Sequence, residues 1–539
     1  MENYDMFALM LDCSRNAVMD VPSLHKMILL LEKMGYDTLM LYTEDTYEVE
    51  GEPYFGYLRG RYSEEELRGL CSFAKEHHVE IVPCIQTLAH LNCIFKHERF
   101  APLNDVNDIL LVDEEGTYEL IERMFASLER SFLSRKVHIG MDEAHMLGLG
   151  RFKDKHGLED RTGIFVRHLK KVYEIAKKHG FEPMMWSDMF FSLASGGGYY
   201  DENAKPDTKK LEGLPPVKQV YWDYYHTDES FYERMIDLHR AINEDVIFAG
   251  GVWTWTGFAP LLSFGEQACT PALEACRKKG VRKVILTAWG DDGMDCSAFS
   301  TLTTLFFAAE KAKGIDDLEE IKGDFLSLFG FSYDDFKLLE TPNFLTHKRK
   351  DGLLCVNVCR YLYYNDPLLG IFDSRVEPED ALLYKDHAKK LLEASKRVGE
   401  WGYLFEYLAS LCLAIASKLT LGVRMREAYK KGDEAALKAL LPEIDEAVKQ
   451  VDAFADSYRM RWLKENKPQG LEIGQIKNAG VKERLLEAKR RIKEHLSSGS
   501  PIPELEEEIL PIWPNEEDRK EPAMSPNSYL YMISNSRMV

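Results

Sequence analysis

Two adjacent carboxylates, Asp142 and Glu143, end an apolar run over residues 137–142. Neighbours in a regular strand point to opposite faces, but both can reach one pocket where the strand ends and the chain turns. A buried acid beside a second carboxylate holds its proton to higher pH, because burial and like charge both disfavour ionisation. The pair therefore predicts general acid catalysis next to a second carboxylate. The plainer interpretation is that Asp142 caps the next helix and that Glu143 is solvated.

Tryptophan is concentrated at the ends of other apolar runs. Five of the eight tryptophans lie at such ends: Trp186, Trp222, Trp253, Trp255 and Trp289. Sugars expose apolar C–H faces that pack on indole rings, and an N-acetyl methyl group needs an apolar slot. Any single tryptophan is also a common core residue, but the whole set favours a sugar-binding pocket.

Arg15 follows the first apolar run, just behind Asp12. Its planar guanidinium carries fixed donors that suit two neighbouring hydroxyl oxygens. A salt bridge to Asp12, Glu44 or Asp45 is the other interpretation, and the two do not exclude each other.

The elements that position these residues are short apolar runs separated by longer amphipathic stretches. Within the first 315 residues or so, the runs are 6–13, 38–42, 80–85, 137–142, 183–188, 218–224, 245–251 and 283–289. Eight strands alternating with helices predict an α/β fold with a parallel sheet closed into a (β/α)8 TIM barrel. Active sites of such barrels lie at the C-terminal ends of the strands, which is where the polar and aromatic residues gather.

The pattern changes after about residue 330. Long helical patterns with leucine and alanine at helical spacing occupy residues 376–399, 402–429, 433–465 and 480–497. We therefore expect a catalytic barrel over residues 1–330 and a mostly α-helical C-terminal domain over 331–539, which ends in an irregular, proline-containing tail.

Composition narrows the class of protein. The net charge of −21 argues against a nucleic acid partner, whose phosphates would be repelled. No apolar run reaches the roughly 18–20 residues that a membrane span needs, and the acidic N-terminus has no basic region or cleavage site of a signal peptide. These features predict a cytoplasmic protein with no membrane partner. Because neither H-E-x-x-H nor His-x-His at a strand end occurs, we expect no metal and no other cofactor.

The motifs together resemble glycoside hydrolase family 20, in particular its intracellular, hexosaminidase D-like N-acetyl-β-D-glucosaminidases. The resemblance covers roughly residues 5–315 and extends to the helical remainder. It depends on the following set: Asp142-Glu143 after His138-Ile139-Gly140-Met141, Asp12-x-x-Arg15, Trp186, Tyr221-Trp222-Asp223 and Trp289-Gly290-Asp291. Many members carry a small α/β domain before the barrel, which we do not expect in this protein.

The resemblance implies a retaining exo-β-N-acetylhexosaminidase that releases terminal β-linked GlcNAc, and possibly GalNAc, by substrate-assisted catalysis. Glu143 would protonate the leaving oxygen, and Asp142 would orient the acetamido N–H of the substrate. Tyr221 would donate to the acetamido oxygen, although Tyr225 shares its strand face and leaves this assignment open by one or two positions.

The resemblance also implies a set of substrate-binding residues. Trp186 and Trp289 would lie beside the acetamide, and Arg15 and Asp291 would bind ring hydroxyls. His90 would support the residues that contact the sugar. The remaining candidates are Trp222, Asp223, Tyr225 and Trp255. A small carbohydrate is the expected partner, and the family favours a homodimer.

Other functions stay open at this point. A conventional retaining glycosidase would use a second carboxylate as its nucleophile, such as Asp188, Asp223 or Asp291. A catalytically inactive sugar-binding barrel is a further alternative. Residues 142–145 spell Asp-Glu-Ala-His as in DEAH-type helicases, but the phosphate-binding motif that such enzymes need is absent from the sequence.

Overall fold

Eight short parallel strands form the centre of the first part of the chain. The computed structural model describes residues 4–345 and 358–510, apart from 195–197, 205, 206, 208, 210, 212 and 292. In these residues the strands close in sequence order into a barrel. They are β1 (Met6–Asp12), β2 (Thr38–Tyr42), β3 (Glu80–Cys84), β4 (Lys136–His138), β5 (Glu182–Trp186), β6 (Lys218–Trp222), β7 (Val246–Gly251) and β8 (Lys283–Ala288). The predicted (β/α)8 fold is confirmed.

The strands are apolar on both faces because both faces are covered. All seven residues of β1 are buried, since alternate side chains fill the barrel interior and the others pack under the surrounding helices. The interior cluster takes every second residue of the strands, and it includes Met6, Ala8, Met10, Met40, Tyr42, Val82, Cys84, Met184, Trp186, Val220, Ile247, Ala249 and Ile285. This parity decides which residues at the strand ends face the barrel axis.

Helices alternate with the strands in the barrel region, and the described elements after β8 are all helices. Those of the barrel region are α1 (Val21–Met34), α2 (Glu64–Glu76), α3 (Glu115–Ser131), α4 (Arg151–His156), α5 (Arg161–Lys178), α6 (Asp188–Ala194), α7 (Glu229–Arg240), α8 (Leu262–Lys279) and α9 (Leu302–Lys313). The later ones are α10 (Leu318–Phe329), α11 (Tyr333–Lys337), α12 (Val358–Tyr364), α13 (Asp380–Ser395), α14 (Gly402–Lys418), α15 (Leu421–Lys431), α16 (Glu434–Glu465), α17 (Leu471–Ser498) and α18 (Pro503–Glu506). Ser63 and Glu66 form a capping box at the start of α2.

The chain divides into two compact units, and the division is not a single cut. The first unit holds the described residues up to Val252, Gly265–Trp289 and Leu305–Asp316. The second holds Trp253–Phe264, Gly290–Thr304 and the described residues from Asp317 onward. The segments after β7 and β8 therefore group with the helical unit. The predicted boundary at residue 330 instead assigned them to the barrel.

A buried polar network ties the segment after β8 into the second unit. Tyr458 donates its hydroxyl to Asp295 Oδ1 at 2.9 Å, and an Arg360 nitrogen lies 3.4 Å from Asp295 Oδ2. Ser297 Oγ donates to Glu465 Oε1 at 2.8 Å. Such groups are tolerated in a core because they satisfy each other. This segment is thus held by α12 and α16.

Helices of the second unit pack in a chain of neighbours, α13 on α14, α14 on α16 and α16 on α17. One described stretch, Gly399–Lys431, is long and apolar enough to cross a membrane by length and composition alone, but 72% of its most apolar window is buried within the protein. That burial is typical of a core helix in a helical domain.

Candidate active site

The turn after β4 carries the adjacent carboxylates. Strand β4 ends at His138, earlier than the sequence predicts. The chain then turns through three residues in the left-handed region, Gly140 (φ 69°), Met141 (φ 71°) and Glu143 (φ 50°). Because regular alternation ends before the pair, both carboxyl groups can contact one neighbour. Two non-glycine residues in this region so close together mark a locally strained backbone.

Gln86, just beyond β3, holds this turn from the side. Its Nε2 donates to Asp142 Oδ1 at 2.8 Å, and its Oε1 accepts the N–H of Met141 at 3.2 Å. A Cβ on Gly140 would lie only 2.0 Å from Gln86 Oε1. Position 140 therefore needs glycine both for its positive φ and for the close approach of Gln86.

His90 contacts both carboxylates. Its Nε2 lies 3.2 Å from Asp142 Oδ2 and 3.6 Å from Glu143 Oε2, and its backbone N–H donates to Asp108 at 3.0 Å. Burial alone would lower the pKa of His90, but the charge of Asp142 and the contact with it raise that pKa to about 10. Burial would likewise raise the pKa of Asp142, but His90 and Gln86 hold it below its ordinary value. Asp142 is thus a carboxylate at neutral pH, as a group that accepts a substrate N–H must be.

The two carboxylates differ in exposure. The side chain of Asp142 is 13% exposed, whereas that of Glu143 is 49% exposed. The buried acid expected from the sequence is instead Asp188, at the end of β5, which is 2% exposed. Burial, followed by the charge of Asp142, raises the pKa of Asp188 to about 8. Its Oδ2 accepts the backbone N–H of Glu143 at 2.9 Å.

A hydrogen-bonded chain links Arg15 to the carboxylate pair. Arg15 Nε lies 3.2 Å from Glu44 Oε1, and Tyr42 donates its hydroxyl to the same oxygen at 3.0 Å. The Tyr42 hydroxyl in turn accepts from Gln86 Nε2 at 3.0 Å. Glu44 is the partner of Arg15 that the salt-bridge interpretation named. The Arg15 side chain remains 27% exposed.

Tryptophans line the barrel beside this chain. Trp186 is 1% exposed and packs on His138 at 4.3 Å and on Trp289 at 5.8 Å between ring centroids. Trp289 stands edge-on to Tyr42 at 4.8 Å. Trp222 and Trp289 are only partly buried and pack against the interior cluster. An apolar wall therefore stands at the C-terminal end of the barrel in the first unit.

Strand parity corrects the expected position of Tyr221. Its buried ring packs on His239 of α7 at 4.6 Å between ring centroids, and its hydroxyl donates to Asp223 Oδ2 at 2.8 Å. Asp223 also accepts the backbone N–H groups of Tyr225 and His226, at 3.1 and 3.3 Å. The side chains of residues 221 and 223 thus lie outside the barrel wall, where they organise the turn into α7. Tyr225 is 45% exposed.

The tyrosine on the inner side is Tyr224, which the sequence interpretation missed. Its hydroxyl accepts from Trp289 Nε1 at 3.0 Å, and its ring stacks on Trp222 at 5.4 Å. Burial raises the pKa of Tyr224 well above its ordinary value, the hydrogen bonds with Trp289 and Thr287 oppose that rise, and the charges of Tyr225 and Asp142 add to it. Trp222 faces the interior from β6, as Trp186 does from β5. Because side chains alternate along a strand, counting two residues on from Trp222 would have indicated residue 224.

Trp255 and Asp291 belong to the second unit. Trp255 stacks on Trp253 at 4.6 Å, and Trp253 packs edge-on to Phe264 at 4.7 Å. Asp291 is partly buried. Across the described part of the chain, no group of three or more His, Cys, Asp or Glu side chains is arranged to hold a metal ion.

A parallel barrel with paired acidic groups, a basic histidine between them and a tryptophan wall at its C-terminal end is typical of glycoside hydrolases. The chain belongs to glycoside hydrolase family 20. Residues 40–204 match the glycosyl hydrolase family 20 catalytic domain, and residues 334–524 match the glycoside hydrolase 20C C-terminal domain. The two domains together span about two thirds of the chain.

Two curated relatives are both called Hexosaminidase D. The human protein is 26% identical over 205 residues, which are 36% of this chain and 40% of that protein. The bovine protein is 24% identical over 285 residues, which are 48% of this chain and 77% of that protein. This chain therefore spans less than half of the human relative. Among solved structures, a β-N-acetylhexosaminidase from Bacteroides fragilis NCTC 9343 is similar, with a TM-score of 0.48, 15% identity and coverage of 60% of this chain and 70% of that one.

Proposed function

We propose that this protein is a retaining exo-β-N-acetylhexosaminidase that removes terminal β-linked GlcNAc by substrate-assisted catalysis. One observation carries the proposal: a partly buried, ionised Asp142 lies beside a half-exposed Glu143 in one turn, with His90 in contact with both. A fixed carboxylate next to an accessible acid is what the acetamide mechanism requires, since the first orients the amide and the second meets the leaving oxygen.

In the first step the acetamido oxygen of the substrate bonds to C1 while the bond from C1 to the leaving oxygen breaks. Glu143 gives its proton to that oxygen. The product of this step is an oxazolinium ring, whose N–H donates to Asp142 and whose positive charge the carboxylate stabilises. Because His90 and Gln86 fix Asp142 beforehand, little reorganisation is needed as the charge develops.

In the second step Glu143 takes a proton from water, and the water oxygen bonds to C1 as the bond from C1 to the acetamido oxygen breaks. Two inversions at C1 leave the β configuration unchanged. Tyr224 takes the role first expected of Tyr221, donating its hydroxyl to the acetamido oxygen, because residue 224 lies on the inner side of the barrel beside Trp289. Arg15 binds ring hydroxyls.

The positions of two rival nucleophiles argue against a conventional two-carboxylate mechanism. Asp188 is buried and accepts the backbone N–H of Glu143 itself, and Asp223 lies on the outer face of β6. Neither is opposite the acid, where a nucleophile must stand.

A panel of chromogenic β-glycosides of GlcNAc, GalNAc, glucose and galactose tests the proposal. We expect cleavage of the GlcNAc glycoside, strong inhibition by a GlcNAc-derived thiazoline that mimics the cyclic intermediate, and no cleavage of the glucoside. Efficient glucoside cleavage with weak thiazoline inhibition would establish the conventional mechanism, and binding without turnover would indicate a sugar-binding barrel. Acceptance of GalNAc, the homodimer and the cytoplasmic location stay predictions, and light scattering tests the dimer.

A further inference from the structure

The backbone of Glu143 is in an unfavourable conformation that something must hold. Its φ of 50° lies in the left-handed region, which side-chain-bearing residues seldom adopt. Such a conformation persists only where its surroundings fix it. The contact made by its own amide is the hydrogen bond from Glu143 N to Asp188 Oδ2, 2.9 Å long.

Asp188 is costly to keep at this place. It is 2% exposed, and it lies close enough to Asp142 and Glu143 for the charges of both to disfavour its ionisation. An apolar residue would avoid both costs. A carboxylate at position 188 instead supplies the acceptor for the Glu143 amide, and the side chain of Trp222 also favours its ionised form.

The segment that carries Asp188 is itself fixed. Ser187 Oγ donates to the carbonyl oxygen of Val220 at 3.0 Å and lies 2.8 Å from His239 Nε2 and 2.9 Å from the Tyr199 hydroxyl. The backbone N–H of Ser187 also donates to Val220 at 3.2 Å. Asp188 therefore projects from a rigid point at the end of β5, as a group that positions another residue should.

We propose that Asp188 is a positioning residue for catalysis: its Oδ2 holds the amide of Glu143, and thereby holds the Glu143 carboxyl where it protonates the leaving oxygen. This inference rests on the proposed function and names the part of the fold that aims the acid. Asp188 is not a nucleophile and does not contact the sugar.

Two substitutions at position 188 remove the carboxyl group, and only one of them also removes the hydrogen-bond acceptor. Asp188→Asn keeps a side-chain oxygen that can accept the Glu143 N–H, whereas Asp188→Leu keeps the branching at Cγ, at a larger volume, without an acceptor. We expect Asp188→Leu to lower kcat on chitobiose about 10²-fold, as small misplacements of catalytic groups do, with KM changed less than about threefold. Asp188→Asn should recover most of that loss. Because an activated aryl leaving group needs less protonation, the loss in Asp188→Leu should be several-fold smaller on an aryl β-GlcNAc glycoside.

Asp105 provides a matched control. It is also a buried carboxylate, and it accepts the backbone N–H groups of Gly148 and Phe152, at 2.7 and 2.8 Å, further along the segment after β4. Asp105→Leu should lower the Tm without a loss that depends on the leaving group. Thiazoline affinity in Asp188→Leu should stay within several-fold of the wild type, since Asp142 keeps its own partners.

The outcomes are distinct. If the wild type does not cleave β-GlcNAc glycosides, the proposed function fails. If the wild type is active but Asp188→Asn and Asp188→Leu lose activity equally, or equally on both leaving groups, the positioning role is wrong. Should Asp188→Leu not fold, Asp188→Ala takes its place, and the inference stands or falls on whether Asp188→Asn keeps most of kcat on chitobiose while Asp188→Ala loses it.

Discussion

Tyr221 in β6 and Tyr224 just after it lie on opposite sides of the barrel wall. The Tyr221 hydroxyl donates to Asp223 at 2.8 Å, whereas the Tyr224 hydroxyl accepts from Trp289 at 3.0 Å. Two tyrosines of similar burial therefore have separate tasks, one in the packing of α7 and the other beside the carboxylate pair.

Replacing each tyrosine by phenylalanine should separate these tasks. Tyr224→Phe removes the donor to the acetamido oxygen, and we expect a fall in kcat of about 10²-fold. Tyr221→Phe leaves Asp223 with one donor fewer and should lower the free energy of unfolding by about 1 kcal/mol without changing kcat. Steady-state kinetics and urea denaturation measure both effects. The reverse pattern would restore the original assignment of Tyr221.

Glu143→Gln should lower turnover on the order of 10²-fold or more on a disaccharide, because a positioned general acid is lost. An aryl glycoside needs less protonation of its leaving group and should suffer less in the first step. Measuring kcat on both substrates tests the acid role, and an equal loss on the two would contradict it.

Asp142→Asn should lower kcat more than it raises KM, since the carboxylate acts on charge that develops in the transition state. The same change should weaken thiazoline inhibition, whereas Glu143→Gln should affect it less. Inhibition constants for the two variants make the comparison. A kcat unchanged in Asp142→Asn would rule out the acetamide role.

Gly140→Ala tests the close approach of Gln86 to the turn. The added Cβ would meet Gln86 Oε1 at 2.0 Å and carry a φ of 69°, so we expect a loss of about 1–3 kcal/mol in unfolding free energy together with lower kcat. Gly180 has a similar φ of 75° with no atom within 4 Å of its Cβ position. Gly180→Ala should therefore cost less stability and leave kcat intact, and equal effects of the two variants would contradict the steric argument.

The pair formed by His90 and Asp142 should make stability depend on pH. The charges around His90 are Asp142, Glu143, Glu44 and Asp108, opposed by Arg15. Because its pKa rises from 6.5 to about 10 on folding, the stability that the histidine cation contributes is complete below about pH 6.5 and is lost as the pH rises through 10.

Urea denaturation of the wild type and of His90→Gln, between pH 6 and 10, measures this contribution. The difference in unfolding free energy between the two proteins should shrink steadily above about pH 6.5. A difference that stays constant across this range would mean that His90 is neutral in the folded protein.

The sequence by itself determined the barrel and the position of the carboxylate pair. Apolar runs such as 6–13 and 283–289 reach the core on both faces, so they are visible without knowledge of their neighbours. The pair at 142 and 143 stands out for the same local reason, because it ends an apolar run and the C-terminal ends of the strands are where the active site of such a barrel lies.

Only the tertiary structure decided which side chains meet. A shift of one residue at the end of β6 exchanges the inner and outer faces, so Tyr221 and Tyr224 could not be distinguished until the strand was in register with its neighbours. Burial likewise depends on groups from other strands. Contacts with His90 and Gln86 hold Asp142 as a carboxylate. The acid that is fully buried is Asp188, the first residue of α6, and it accepts the Glu143 amide N–H from more than forty residues further along the chain.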